Sequence, residues 1–276
     1  MPSSEIRPFL KWVGGKTKLL PQLLPLLPKR INTYYEPFLG GAAVFFHLAS
    51  TGLINRAVLN DFNPELINCY RVVRDFPEEL IEQTARLKFD PGVFKELRAI
   101  RPSALSPVRR AARTIYLNRT GFNGLYRLNK KGEFNVPWGK YVNPTILDAP
   151  RIRACGEALN RYASLYSEDF SSVVEAAVAG DVVYFDPPYV PLNATSNFRS
   201  YTKEGFGLQD QKRLALCFRQ LVERGVAVLA SNSDTPLVRE LYSDFETHVV
   251  HMRRNINSKG EGRGPINELL LVGRLN

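Results

Sequence analysis

Cysteine is scarce in this sequence. Cys69, Cys155 and Cys217 lie far apart, with no Cys-x-x-Cys pair and no neighbouring histidine pair. That spacing points to neither a zinc site nor a disulfide framework, and no metal is expected. Long apolar runs are missing as well: the leucine-rich stretch from Leu19 to Leu27 is broken by Pro21 and Pro25, and Glu5 and Arg7 precede any apolar run. Neither a signal peptide nor a membrane span is indicated, which predicts a cytoplasmic protein without a membrane partner. Internal repeats and low-complexity tracts are absent. A phosphate-binding P-loop fails at one position, because Gly14-Gly15-Lys16-Thr17 would need a glycine at position 10, where Leu10 stands.

What is present is a chain of 276 residues, 44% of them apolar, enough for one large domain or one domain carrying an insertion. The formal net charge is +10. Between Lys95 and Asn143 eleven Lys or Arg face only Glu96 and Glu133, so this stretch carries +9 of that total. A concentrated basic segment in an otherwise balanced chain favours a polyanionic partner such as nucleic acid over a uniformly solvated surface.

The basic segment is flanked by two α/β halves. Thr33–Glu36 reads as a strand, Pro37-Phe38-Leu39-Gly40-Gly41 as a turn, and Ala42–Ala49 as a helix. Strand, glycine turn and helix form the unit that binds nucleotide-like cofactors at a strand's C-terminal edge. A second strand, Ala57–Asn60, ends at Asp61, which lies 21 residues after Gly40. An acidic side chain at that distance suits ribose hydroxyls, although a helix cap would also explain it. Further strands are expected at Val182–Phe185, Val226–Ala230, Thr247–Met252 and Glu268–Val272, and a helix at Gln209–Glu223. Residues 78–143 change character, with helical segments followed by a Gly/Asn-rich, hairpin-like run. They read as an inserted recognition domain between the catalytic segments 1–77 and 144–276.

The strand at Val182–Phe185 runs into Asp186-Pro187-Pro188-Tyr189. On the tetrad alone, a strand-ending turn and a catalytic site are equally good readings. The tetrad resembles the catalytic motif of amino-methyltransferases, which methylate an exocyclic nitrogen using S-adenosylmethionine. An adenine N6 lone pair is delocalised into the ring, so the site must draw the nitrogen towards tetrahedral geometry. Asp186 would accept one N–H and the Pro187 carbonyl the other; the two prolines lack N–H groups that would compete, and the Tyr189 ring offers a face for an extruded base.

Five blocks occur in order: Phe9-Leu10-Lys11-Trp12-Val13-Gly14-Gly15-Lys16, Glu36-Pro37-Phe38-Leu39-Gly40-Gly41, Asn118-Arg119-Thr120-Gly121-Phe122-Asn123-Gly124-Leu125, Gly132-Glu133-Phe134-Asn135-Val136-Pro137 and Asp186-Pro187-Pro188-Tyr189. Their sequence and order resemble the Dam family of DNA adenine-N6 methyltransferases, alpha subclass, over nearly the whole chain. The resemblance implies a Rossmann-like S-adenosylmethionine-dependent methyltransferase fold with an inserted, mainly helical DNA-recognition domain. It also implies transfer of a methyl group to a flipped adenine in double-stranded DNA at GATC. Trp12, Lys16, Glu36, Phe38, Gly40, Gly41, Asp61, Asp169, Phe170 and Asp186 would form the cofactor pocket, although Trp12 and Phe170 also read as ordinary core aromatics. On the DNA side the resemblance implies Lys11 for the outer base pair, Phe122 as a wedge beside the flipped base, and Asn123, Leu125 and Arg127 for base contacts. Arg127 would read guanine through paired donors. Arg119, Pro137 and Lys140 belong to the same segment, and the loop with Asn197 and Arg199 would close over substrate. Arg109, Arg110, Lys130, Lys131, Arg253, Arg254 and Lys259 are phosphate contacts or solvated charges.

Three departures from the family pattern stand out. Ala42 follows Gly40-Gly41 where relatives often carry a further glycine, Lys140 stands where arginine is frequent, and Phe122 replaces a tyrosine. Lysine lacks the two-pronged planar donor set of arginine, which leaves specificity at one base open. Other amino-methyltransferases, acting at another site, on RNA or on cytosine N4, share the general pocket; a decayed, purely DNA-binding protein would keep the fold. Solitary enzymes and partners of a restriction endonuclease share these motifs, so either context is compatible with the sequence. A nucleoid-associated cytoplasmic enzyme is the expectation.

Overall fold

The structure is a computed structural model and describes residues 6–191, 206–253 and 265–274. Among them are seven strands: β1 (Ile31–Glu36), β2 (Ile54–Asn60), β3 (Ala163–Tyr166), β4 (Val182–Phe185), β5 (Ala227–Ser233), β6 (Glu246–Arg253) and β7 (Pro265–Gly273). They are ordered β3-β2-β1-β4-β5-β7-β6. The β1–β4, β4–β5 and β2–β3 pairs are parallel, whereas β7 runs antiparallel to both β5 and β6. This is the Rossmann-like α/β class predicted from the sequence. All four residues of β4 are buried, as expected of a parallel strand covered on both faces.

The described helices are α1 (Leu20–Leu23), α2 (Ala43–Thr51), α3 (Pro64–Asp75), α4 (Pro77–Ala85), α5 (Pro91–Ala99), α6 (Pro107–Thr120), α7 (Ala149–Tyr162), α8 (Leu208–Glu223) and α9 (Pro236–Leu241). Proline opens α3, α4, α5, α6 and α9, where a missing N–H costs nothing. The Asn63, Asp90, Asp148 and Thr235 side chains cap the first-turn amides of α3, α5, α7 and α9. No described helix is long and apolar enough to cross a membrane.

The chain divides into two compact units, Met1–Thr17 with Leu39–Glu168, and Lys18–Phe38 with Asp169–Asn276. In the first, α7 packs on β2 and β3, and α3 packs against α6 and α7. A separate core gathers Phe94, Tyr116, Leu117, Phe134 and Val136. Burying each large apolar side chain there contributes roughly 1.5–3 kcal/mol relative to exposure. The hairpin-like loop is present: Leu128 bridges Phe134, Asn129 N–H bonds the Glu133 carbonyl at 2.8 Å, and Gly132 N–H bonds the Asn129 carbonyl at 2.9 Å.

In the second unit, β1 pairs with β4 in the register Tyr34 to Val182 and Tyr35 to Val183. The buried Asp181 carboxylate accepts the Thr33 and Val178 amides, each at 3.0 Å, and ties the start of β4 to β1. Helix α8 covers β5 and β7.

Of the described non-glycine residues with positive φ, Ala42, Asn123 and Asn143, only Ala42 lacks a side chain suited to that region. Ala42, the cap of α2, adopts φ +56° and ψ +32°, the left-handed region in which a Cβ crowds the backbone. Ala42→Gly is expected to stabilise the protein by about 1 kcal/mol, read as a higher urea midpoint with unchanged slope. A lower midpoint would show that the alanine methyl contributes more than the strain costs.

Candidate active site and nucleic-acid interface

The first unit builds a glycine turn. Leu39 N–H bonds the Asn60 carbonyl at 2.8 Å, which starts the turn beside the end of β2. Asp61 then accepts the Gly40 N–H at Oδ2 and the Asn63 N–H at Oδ1, both at 3.0 Å. The Tyr70 hydroxyl donates to the Gly40 carbonyl at 2.8 Å. Gly40 adopts φ +47°, and a Cβ there would lie 2.9 Å from Trp12 Cδ1, so the Trp12 ring can cover the turn only because glycine forms it. Lys16 is buried, with Nζ donating to the Gly14 carbonyl at 2.9 Å. Phe62, next to Asp61, is 81% exposed, and nothing in the pattern of apolar residues singled it out.

Trp12 also stacks on Tyr126, with ring centroids 5.5 Å apart. Its neighbour Lys11 is fixed through its backbone: Asn118 Oδ1 accepts the Lys11 N–H at 2.9 Å, while Asn118 Nδ2 donates to the carbonyls of Lys11 at 2.7 Å and Gly124 at 2.9 Å. Gly124 has φ +65°, and a Cβ there would meet Lys11 Cβ at 2.6 Å. The buried Asn118 thus ties the Lys11–Trp12 arm to the turn bearing Phe122 and Asn123, both exposed. Lys11 Nζ lies 4.6 Å over the Tyr141 ring; partial burial and the nearby Arg119 charge lower its pKa.

Phe122 N–H bonds the carbonyl of the exposed Pro137 at 2.9 Å, so the segments around Phe122 and Pro137 are paired. Leu125 is half-buried against the separate core, and Lys140 is exposed. Arg127 is exposed and oriented by Asn135, its Nε donating to Oδ1 at 2.7 Å and Nη2 to the carbonyl at 3.3 Å.

Several basic residues of this stretch face inward. Arg113 donates Nε to the Leu97 carbonyl at 2.7 Å and Nη2 to the Arg98 carbonyl at 3.3 Å, closing the end of α5. Arg110 forms an ion pair with Glu65. Arg119, at 9% exposure, donates Nε to the Thr145 carbonyl at 3.1 Å, and burial lowers its pKa. Arg119 therefore braces the segment from within, and Arg110 is paired with a carboxylate.

The second unit carries the tetrad. Asp186 follows β4 directly, and its Oδ1 accepts from Ser231 Oγ at 2.8 Å. Pro187 is buried and Pro188 exposed, with the Pro188 carbonyl accepting from Gln211 Nε2 of α8 at 2.9 Å. Asn232 Nδ2 holds Gln211 Oε1 at 3.0 Å, and Asn232 Oδ1 accepts the Val190 amide at 3.2 Å. The tetrad is thereby anchored on both sides. Tyr189 donates its hydroxyl to Glu268 of β7 at 2.9 Å; burial, then the Asp186 charge, keeps its pKa well above the ordinary phenol value. Glu36, at the end of β1, is buried.

Phe38 stacks on Phe170 at 5.4 Å and meets Phe185 and Phe206 edge-on at 6.3 and 5.3 Å. Asp169 pairs with Arg213 at 2.9 Å, and the Arg213 guanidinium covers Phe170 at 5.1 Å. Phe170 is itself 5% exposed. Sequence reading did not find Ser231, Gln211, Asn232 or Glu268; the string Ser231-Asn232-Ser233-Asp234 closing a strand was the available signal. The Arg253 backbone ends β6, and Asn197, Arg199, Arg254 and Lys259 lie outside the described residues.

A family model described as D12 class N6 adenine-specific DNA methyltransferase matches residues 12–256. The chain belongs to this family. It is 47% identical to the type II methyltransferase M1.LlaDCHI of Lactococcus lactis subsp. cremoris, over 97% of this chain and 95% of that protein. Type II methyltransferase M.MjaIII of Methanocaldococcus jannaschii is 42% identical, over 97% and 99% respectively. The DNA adenine methylase of Escherichia coli K12 is 40% identical, over 96% and 95%. As a D12-class member, the protein is an adenine-specific DNA methyltransferase.

Burial raises the Asp61 pKa, and the Asn63 and Gly40 amides only partly oppose the shift. A raised folded-state pKa gives stability that is complete below the unfolded value and is lost as pH rises through the folded value. Relative to Asp61→Asn, the wild type should therefore lose stability as pH rises across and just above the ordinary carboxylate range. Urea melts from pH 3 to 7 check this, and a pH-independent difference would refute the assignment.

Proposed function

We propose that this enzyme methylates N6 of adenine within GATC in double-stranded DNA, acting on a base turned out of the helix. The observation that carries this reading is the anchored tetrad at the end of β4. Asp186 is held by Ser231, Pro188 by Gln211 and Tyr189 by Glu268, so a carboxylate, a backbone carbonyl and an aromatic face are preorganised at one strand end. In this role Asp186 and the Pro187 carbonyl accept the two amine protons and turn the nitrogen lone pair out of conjugation. The Tyr189 ring stacks on the extruded base and replaces stacking lost from the duplex.

S-adenosylmethionine, when bound, supplies a methyl group already activated on a cationic sulfur. Trp12, Lys16, Gly40, Gly41 and Asp61 are the cofactor residues proposed within the first unit, and Glu36, Phe38, Asp169, Phe170 and Asp186 are those proposed, from the resemblance to Dam, within the second. The residues fit such a ligand. The turn at Gly40 has no room for a side chain, and Asp61 uses one lone pair on each oxygen for backbone amides while retaining acceptors for hydroxyls. Phe62 offers an exposed apolar face beside it.

Residues 78–143 are the proposed recognition region, with 1–77 and 144–276 supplying catalysis. Phe122, exposed and carried on a turn pinned by Asn118, is suited to wedge beside the flipped base. Arg127, steered by Asn135, is suited to read guanine; Lys11, Asn123, Leu125, Pro137 and Lys140 complete the proposed set. The GATC assignment rests on the resemblance of these blocks to Dam.

Tritiated methyl transfer into duplexes that differ only in GATC, followed by nucleoside analysis, tests the reading. Label as N6-methyladenine in the GATC duplex alone is expected, and equal label in both would overturn the site assignment. Asp186→Ala should abolish transfer while duplex binding survives; retained transfer would remove Asp186 from the chemistry. Arg127→Ala should relax discrimination at one guanine at a cost of roughly 1–3 kcal/mol. An unchanged site preference would exclude base reading by Arg127.

A further inference from the structure

Among the buried polar groups of the second unit, one chain of hydroxyls ends on the tetrad. Tyr184 and Asp186 are two residues apart, so their side chains share a face of the strand path. Parallel pairing sets Tyr184 opposite Leu229 and Phe185 opposite Ala230, which brings the next residue of β5, Ser231, beside Asp186. Tyr184 and Ser231 are both fully buried. Ser231 Oγ lies 2.9 Å from the Tyr184 hydroxyl and 2.8 Å from Asp186 Oδ1.

The proton count gives this chain a direction. A serine hydroxyl has one proton, and an ionised carboxylate only accepts. Ser231 therefore donates to Asp186 and accepts from Tyr184. Burial and the Asp186 charge hold the Tyr184 phenol well above its ordinary pKa, so it remains a donor. Tyr189, the other phenol facing Ser231, donates to Glu268 and also lies within hydrogen-bond reach of Ser231.

We propose that Ser231 is a positioning residue for methyl transfer: it relays the Tyr184 hydroxyl to Asp186 Oδ1 and so fixes the plane in which the carboxylate meets the target amine. This rests on Asp186 being the amine acceptor. In the relay the Ser231 hydroxyl holds one carboxylate oxygen in place, so the carboxylate does not have to reorient when the amine arrives. Tyr184 acts one bond further away by polarising Ser231.

The test compares Ser231→Ala, Tyr184→Phe and the double variant in single-turnover methylation and thermal melts. Ser231→Ala should lower kcat roughly 10- to 100-fold, the scale of a hydrogen bond to a charged group, with KM for cofactor and duplex unchanged within about twofold. Tyr184→Phe should lower kcat less. In Ser231→Ala the buried phenol loses its acceptor, so adding Tyr184→Phe should restore part of the lost Tm while kcat stays low. The double variant also supplies the measurement where Ser231→Ala alone folds poorly. A kcat that is unchanged in Ser231→Ala, or that recovers together with Tm in the double variant, would overturn the proposal and reduce Ser231 to a packing role. Asp186→Ala keeps the two levels apart: a dead Asp186→Ala beside a fully active Ser231→Ala refutes only the relay, whereas an active Asp186→Ala refutes the catalytic reading itself.

Discussion

Parallel pairing of β1 with β4 is the constraint on which the rest of the second unit depends. Parallel strands end at the same edge, so the register of Tyr34 with Val182 and Tyr35 with Val183 carries Glu36 and Asp186 to one end of the strand pair. All four residues of β4 and every residue of β1 except Asn32 are buried. Asp181 supports the pairing at the opposite end by accepting the Val178 amide from before β4 and the Thr33 amide from within β1. The polar groups to which a catalytic role is proposed are thus concentrated where the apolar strand stops.

The first unit solves a different problem, the close approach of backbone segments. Glycines at 40 and 124 leave space that Trp12 and Lys11 occupy, and Asn118 satisfies three backbone groups at once. One short arm, Lys11–Trp12, consequently touches both the glycine turn and the segment preceding the hairpin. Both contacts depend on small residues where the chain passes close to itself.

Much of the fold was legible because strand ends and turns are local signals. The strand Val182–Phe185 is a continuous apolar run stopped by prolines, and the Gly40-Gly41 turn with Asp61 follows from spacing. Strand β3 was not legible: Ala163–Tyr166 is short and follows α7 without any turn residue to mark it. The anchors of the tetrad escaped for another reason. Ser231, Gln211 and Glu268 reach Asp186, Pro188 and Tyr189 across strands and from a helix, at sequence separations that no local pattern encodes. Charge was legible in amount but not in direction, since a count of arginines does not distinguish one that faces solvent from one that closes a helix end, as Arg113 does.

That inward use of arginine bears on how the protein senses ionic strength. The affinity of a protein for a nucleic acid falls with salt in proportion to the number of phosphates its cations neutralise, because each contact releases condensed counterions. Arg110, Arg113 and Arg119 are committed to Glu65 and to backbone carbonyls, so they have no counterions of nucleic acid to displace. The electrolyte response of this enzyme is therefore set by its exposed cations, and it is shallower than the formal charge of the basic segment implies.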